Sequence, residues 1–159
     1  MEVDAEVAWD RVSVRNMMSQ SLTYLGGHLL LRWFLGLLMV MAFVGKMRGE
    51  KGEYALRHYY DWAERTQMEF ARETFLPSGV LYLYCHSLGW MELVLGVMLL
   101  LGVRPRLSLL LLGLVFLSLG FGMMLMRQHD VVANIGVYVG LTVACLLLHQ
   151  RSRLDLWSD

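Results

Sequence analysis

Charge is scarce in this 159-residue chain: Asp, Glu, Lys and Arg make up 18% of it, and 14 Lys+Arg stand against 14 Asp+Glu for a formal net charge of zero. Without a basic excess there is no field to draw in nucleic acid, and without an acidic one there is no trap for basic partners. Two cysteines are too few for a disulfide-rich secreted scaffold, and two prolines in so apolar a chain exclude proline-rich disorder. No glycine-rich phosphate loop, Ser/His/Asp elbow or zinc-protease motif occurs. The first twenty residues carry Glu2, Asp4, Glu6 and Asp10 and lack the basic start and apolar run of a signal peptide, so residues 1–23 are expected to stay as a tail or surface helix. What is plentiful is hydrocarbon: 57% of residues are hydrophobic, which points to a small integral membrane protein.

Spanning a bilayer core takes about 20 mostly apolar residues as helix. Four stretches meet that need, 24–45, 82–101, 107–126 and 131–148, with residues 149–159 left as a C-terminal tail. Arg104, Pro105 and Arg106 interrupt hydrocarbon between the second and third, and Arg127 to Asp130 do so between the third and fourth. Such short links force antiparallel neighbours, so the expected fold is all-α, a four-helix transmembrane bundle. The connection 47–80 interleaves acids with bases, and Ala55, Tyr59, Trp62, Thr66 and Phe70 recur at helical spacing within it. That pattern predicts an amphipathic interfacial helix between helices 1 and 2, with a solvated capping loop as the alternative. Lys/Arg counts nearly tie across the two sides. The short link holding Arg104 and Arg106, with Arg151 and Arg153 after the last span, favours cytoplasmic termini.

Within the spans the polar residues form lines. Cys85, Gly89, Glu92 and Gly96 share one face of the second helix, and small residues there let a neighbour approach closely, so this face should look into the bundle. Glu92 lies near its segment's midpoint, where an ionised carboxylate costs at least several kcal/mol unless it is paired or protonated. On the first helix Arg32, Gly36, Met39, Phe43 and Lys46 share a stripe, and Arg32 lies about two residues, roughly 3 to 4 Å, from that segment's midpoint. Depth therefore nominates Arg32 as the partner of Glu92, either to fix helix register or as the polar centre of a functional site. Glu92 and Arg32 are the candidate catalytic residues; His86, Asn134 and Tyr138 are the candidate cofactor-binding ones.

Other features read as packing. Gly136 and Gly140 form a small-residue signal on the fourth span, Ser118 and Gly122 one on the third, and the methionines, with Met123, Met124 and Met126 clustered, suit adaptable packing better than copper(I). Alternating spans put His58, His86 and His129 on the long-connection side, and His28 and His149 on the terminal side. None are at the helical i, i+3 or i, i+4 spacing of a metal pair, so neither haem nor a metal site is expected. Cys85 opens its span on one side and Cys145 lies toward the other, beyond the disulfide limit of about 7 Å.

These residues resemble the DoxX-like membrane family, which includes the small DoxD subunit of thiosulfate:quinone oxidoreductase. The resemblance is carried by Arg32-x3-Gly36, Gly45-Lys46, Glu92-x3-Gly96, Gly102, Arg106, Asn134 and the closing Arg153-Leu154-Asp155. It implies a four-helix protein of the bacterial inner membrane associated with redox or quinone-linked electron transfer. The dithiol motif of some redox relatives is absent and the charged connection is long, so the implied role is at most a subunit of a membrane oxidoreductase. The alternative is a non-catalytic accessory subunit docking on a larger membrane complex. The expected partners are the lipid bilayer, other membrane protein subunits and quinone, with no nucleic acid.

Overall fold

The computed structural model describes the backbone of residues 2–49 and 51–149 and the side chains of residues 23–49 and 51–149. Apart from an isolated bridge between Arg48 and Tyr54, the regular structure of these residues is helical: α1 (Glu2–Lys46), α2 (Leu56–Glu73), α3 (Ser78–Leu101), α4 (Pro105–Leu125) and α5 (His129–His149). Four segments are long and apolar enough to cross a membrane: Thr23–Lys46, Ser78–Leu101, Pro105–Leu125 and His129–His149. α1 runs unbroken through residues 2–22 into the first of these. The expected tail beyond residue 149, with Arg151 and Arg153, lies outside the described residues.

The helix limits follow from local chemistry. α3 starts after Pro77, whose ring holds its own φ at −60° and by steric clash biases the residue before it away from helix. It ends at Gly102, which takes the left-handed conformation at φ 73°, and its N–H bonds back to the Leu99 carbonyl. Pro105 then occupies the first turn of α4, where no intrahelical donor is needed. α2 closes on Thr74, whose hydroxyl donates to the Phe70 carbonyl at 2.6 Å.

α1 packs on α3 and α5, and α4 packs on α5 and α3, so the four spans close into a ring, with α2 laid against α3. The closest crossing is between α1 and α3 at Gly36 and Gly96. A Cβ at Gly96 would lie 2.9 Å from the Gly36 carbonyl oxygen, and one at Gly36 would lie 2.9 Å from Leu100. Below that crossing, Leu35, Met39, Leu99, Leu109, Leu112, Phe116 and Cys145 form the main core cluster. Leu30, Leu83, Leu114, Leu117 and Phe121 point outward and stay exposed, as lipid-facing side chains should. On α2, Tyr59, Ala63 and Phe70 are buried, while Arg57, Glu64, Arg65, Glu69 and Arg72 are exposed.

Candidate functional site

The α3 face read from the sequence does look inward: Cys85, Gly89, Glu92 and Gly96 are all buried. The structure corrects the partner of Glu92, which is paired with Lys46, the last residue of α1, and not with Arg32. Two geometric facts explain the difference. The Gly36–Gly96 crossing sets the stagger and brings Val40 and Met39 beside Gly96, so Arg32 sits toward the terminal end and Glu92 toward the other. Helix side chains also tilt toward their own N-terminus, which aims Arg32 and Glu92 in opposite directions along antiparallel helices and lets Lys46 reach back toward Glu92.

Aromatic rings gather at this end of α1, and one of them touches the Lys46–Glu92 pair. Lys46 Nζ lies over the Trp62 ring, 4.6 Å from its centroid, a cation–π contact contributed by α2. Phe43 lies 5.6 Å from Tyr59 and 5.4 Å from Trp90 between ring centroids. Tyr59 donates its hydroxyl to the His86 carbonyl at 2.6 Å, and a Cβ at Gly89 would run into its ring. Burial pushes the Tyr59 hydroxyl above its ordinary range. Glu92, at 3% exposure, has its charge compensated by Lys46, whose aliphatic stem lies in the bundle.

A second polar cluster, which sequence reasoning did not assemble, lies at the terminal end. His28 (0% exposed), Arg32 (6%), Cys145 (0%) and His149 (2%) are buried together. The Cys145 thiol is 3.6 Å from His28 Nδ1, and His28 Nε2 is 3.4 Å from His149 Nδ1. One helical turn along from His28, Arg32 rests its guanidinium against Gly102, where a Cβ would lie 3.0 Å from Nη1. Its Nε is buried and has no hydrogen-bond partner among the described residues. The signal available in the sequence was topological: alternation already placed His28 and His149 on one side of the bundle.

The remaining candidates are dispersed. His86 is half-buried, bonds through Nδ1 to the Tyr82 carbonyl at 2.9 Å and lies 4.1 Å from the Tyr82 ring, near the Glu92 end but on another face of α3. Tyr138 stacks on Phe116 at 5.6 Å beside the core, and Asn134 is exposed on α5, so neither joins Glu92. A Cβ placed on Gly136 or Gly140 would meet nothing within 4 Å, so these two glycines pack on no other helix among the described residues. Ser118 bonds with the Tyr84 hydroxyl at 3.1 Å, and Gly122 receives the Phe70 ring of α2, so that pair does pack. At the α1–α2 junction a charged cleft of about 350 Å³ is lined by Arg48, Gly49, Lys51, Glu53, His58, Asp61 and Arg65. Among the described residues no group of three His, Cys, Asp or Glu side chains could hold a metal ion.

Among known families, the one described as DoxX matches residues 27–126, from the first span to the end of the third. Asn134 and residues 153–155 fall beyond that match, and residues 153–155 also lie outside the described residues. No curated protein and no solved structure matches the chain.

Proposed function

The chain belongs to the DoxX family and is a multi-pass integral membrane protein, and from that premise we propose that it is a membrane subunit of a redox system that uses quinone. The observation that carries this reading is the buried Lys46–Glu92 pair with the Trp62 ring of α2 against Lys46, and with Phe43 of α1 packed on Tyr59 of α2. The donor set fits a quinone: the Lys46 ammonium can donate to a ring carbonyl, Glu92 can accept or release a proton, and flat aromatic faces line the approach. A quinone supplies the electron and proton carrying capacity that none of these side chains has. Lys46 orients and Glu92 holds the proton, while α2 excludes water from both.

In this reading α2 lies along the membrane interface, its charged face in water and Tyr59, Ala63 and Phe70 turned to the bundle. The membrane is the bacterial cytoplasmic membrane, with both termini in the cytoplasm beside the Arg104 and Arg106 link. Extraction in mild detergent followed by lipid analysis tests the site. The intact protein is expected to retain quinone, and Glu92→Gln and Lys46→Met to lose it. Retention by both variants would remove this centre from the proposal.

A second reading, a non-catalytic subunit docked on a larger membrane complex, is favoured by the uncovered Gly136 and Gly140 on α5. It predicts that Gly140→Leu abolishes assembly on a native gel without changing the quinone content.

A further inference from the structure

At the terminal end, thiol, imidazoles and guanidinium meet in an order that has a chemical direction. A buried arginine keeps its charge, so burying Arg32 with its Nε unsatisfied leaves a cation and a donor with no counterpart among the described residues. An anion is the chemistry that would satisfy both the charge and the Nε donor. The reactive group in the same buried cluster is the Cys145 sulfur, in contact with His28, which lies one helical turn from Arg32 on α1.

His28 gives that sulfur a proton acceptor. Its Nδ1 lies 3.6 Å from Cys145 Sγ and 3.3 Å from the Cys145 carbonyl oxygen. In one tautomer Nδ1 is protonated and donates to the carbonyl. In the other Nδ1 is bare and accepts from the thiol, while Nε2–H donates to His149 Nδ1 at 3.4 Å. The second arrangement is a nucleophile, a base in contact with it and a group that orients the base, with the Arg32 cation one helical turn from that base on α1. Cys85, the other cysteine, is also free and buried, but it sits on the inward face of α3 toward the opposite end of the bundle.

We propose that Arg32, His28, His149 and Cys145 form a second site, in which a small anionic electrophile is held by the guanidinium and attacked by the Cys145 sulfur. The thiol proton passes to His28 Nδ1. The sulfur lone pair forms the new bond to the electrophilic atom, and the leaving group departs with the electron pair of the bond that breaks. No electron acceptor is needed. This site is independent of the quinone centre near Lys46 and Glu92.

The test uses the full-length protein in mild detergent with Cys85→Ser, so that Cys145 is the one thiol, and compares iodoacetate with the neutral iodoacetamide by intact mass. With either reagent an S–C bond forms, the C–I bond breaks and iodide leaves. The expected result is that iodoacetate reacts faster than iodoacetamide by about tenfold, the scale of one partly screened charge. Arg32→Gln should reverse that preference and Arg32→Lys should retain it, while His28→Gln should slow both reagents and leave their ratio alone. Three results would overturn the proposal: iodoacetamide reacting faster in the Arg32 protein, a ratio unchanged by Arg32→Gln, or a Cys145 that reacts with neither reagent until the protein is denatured. The first comparison needs no substitution within the cluster, so it stands even if an Arg32 variant fails to fold.

Discussion

Replacing Lys46 with Met should cost more stability than replacing its partner Glu92 with Gln, and the asymmetry can be worked from where the two side chains lie. The Glu92 side chain is 4% exposed and that of Lys46 is 14% exposed, at the last residue of α1. Removing Lys46 strands a carboxylate inside the bundle, a loss of about 3–5 kcal/mol for a broken buried pair. Removing Glu92 leaves an ammonium on a flexible stem that can swing outward, so the loss is nearer 1–2 kcal/mol, roughly that of a hydrogen bond to a charged group. The double variant leaves no charge behind and should resemble Glu92→Gln alone, so the coupling equals the Lys46→Met loss, about 3–5 kcal/mol. Reversible unfolding in mixed micelles, followed by helical circular dichroism, measures all three variants. Single losses that add to within about 0.5 kcal/mol in the double variant, or a cheaper loss from Lys46→Met, would refute the reasoning. Arg32→Leu serves as the contrast: it should show no coupling to Glu92→Gln.

Three further outcomes follow from the packing. Gly96→Ala should lose about 1–3 kcal/mol, because its Cβ would meet the Gly36 backbone oxygen at 2.9 Å and a backbone cannot rotate away; Gly26→Ala, with nothing within 4 Å, is the matched control in the same unfolding assay. Gly102→Ala should cost about 1–2 kcal/mol for its left-handed φ of 73° and should displace Arg32, which lowers the iodoacetate preference of Cys145. Tyr59→Phe removes the bond to the His86 carbonyl and should weaken α2 docking by about 0.5–1.5 kcal/mol, read as faster tryptic cleavage at Arg57 and Arg65. The raised Tyr59 pKa has a sign: α2 docking is fully supported below the ordinary tyrosine value of 10.0 and weakens as pH rises past it, since the released hydroxyl ionises first.

The residues that determine the bundle were legible because hydropathy and face are local properties. Four apolar runs bounded by Arg104, Arg106, Arg127 and Asp130 can be read without knowing which helix touches which, and so can the inward line of Cys85, Gly89, Glu92 and Gly96. Pairing is not local. Arg32 and Glu92 share a depth when each is measured from its own segment's midpoint, but the stagger set by Gly36 against Gly96 and the N-terminal tilt of side chains move them apart. Lys46 was already on the Arg32 stripe; what singled it out was its reach along the axis, which midpoint depth ignores. The meeting of His28, Cys145 and His149 depends on α1 packing against α5, a contact between the first and last elements that no spacing rule encodes.

Two polar centres at opposite ends of one small bundle could in principle be the ends of a single polar path, but the crossing between them argues otherwise. Where α1 meets α3 at Gly36 and Gly96 the backbones approach so closely that a methyl group has no room, and the layer beside it is Leu35, Met39 and Leu99, all nearly or fully buried. Such a contact leaves no room for water between α1 and α3 at that level, and the layer beside it offers no polar partners. Arg32 and Glu92 therefore lie on different sides of the Gly36–Gly96 crossing along the α1–α3 seam. Substitutions at the two ends should accordingly act additively: Glu92→Gln should leave the iodoacetate preference of Cys145 unchanged, and Arg32→Gln should leave quinone retention unchanged. A change in either across the crossing would mean that the α1–α3 contact transmits what such close packing ought to block.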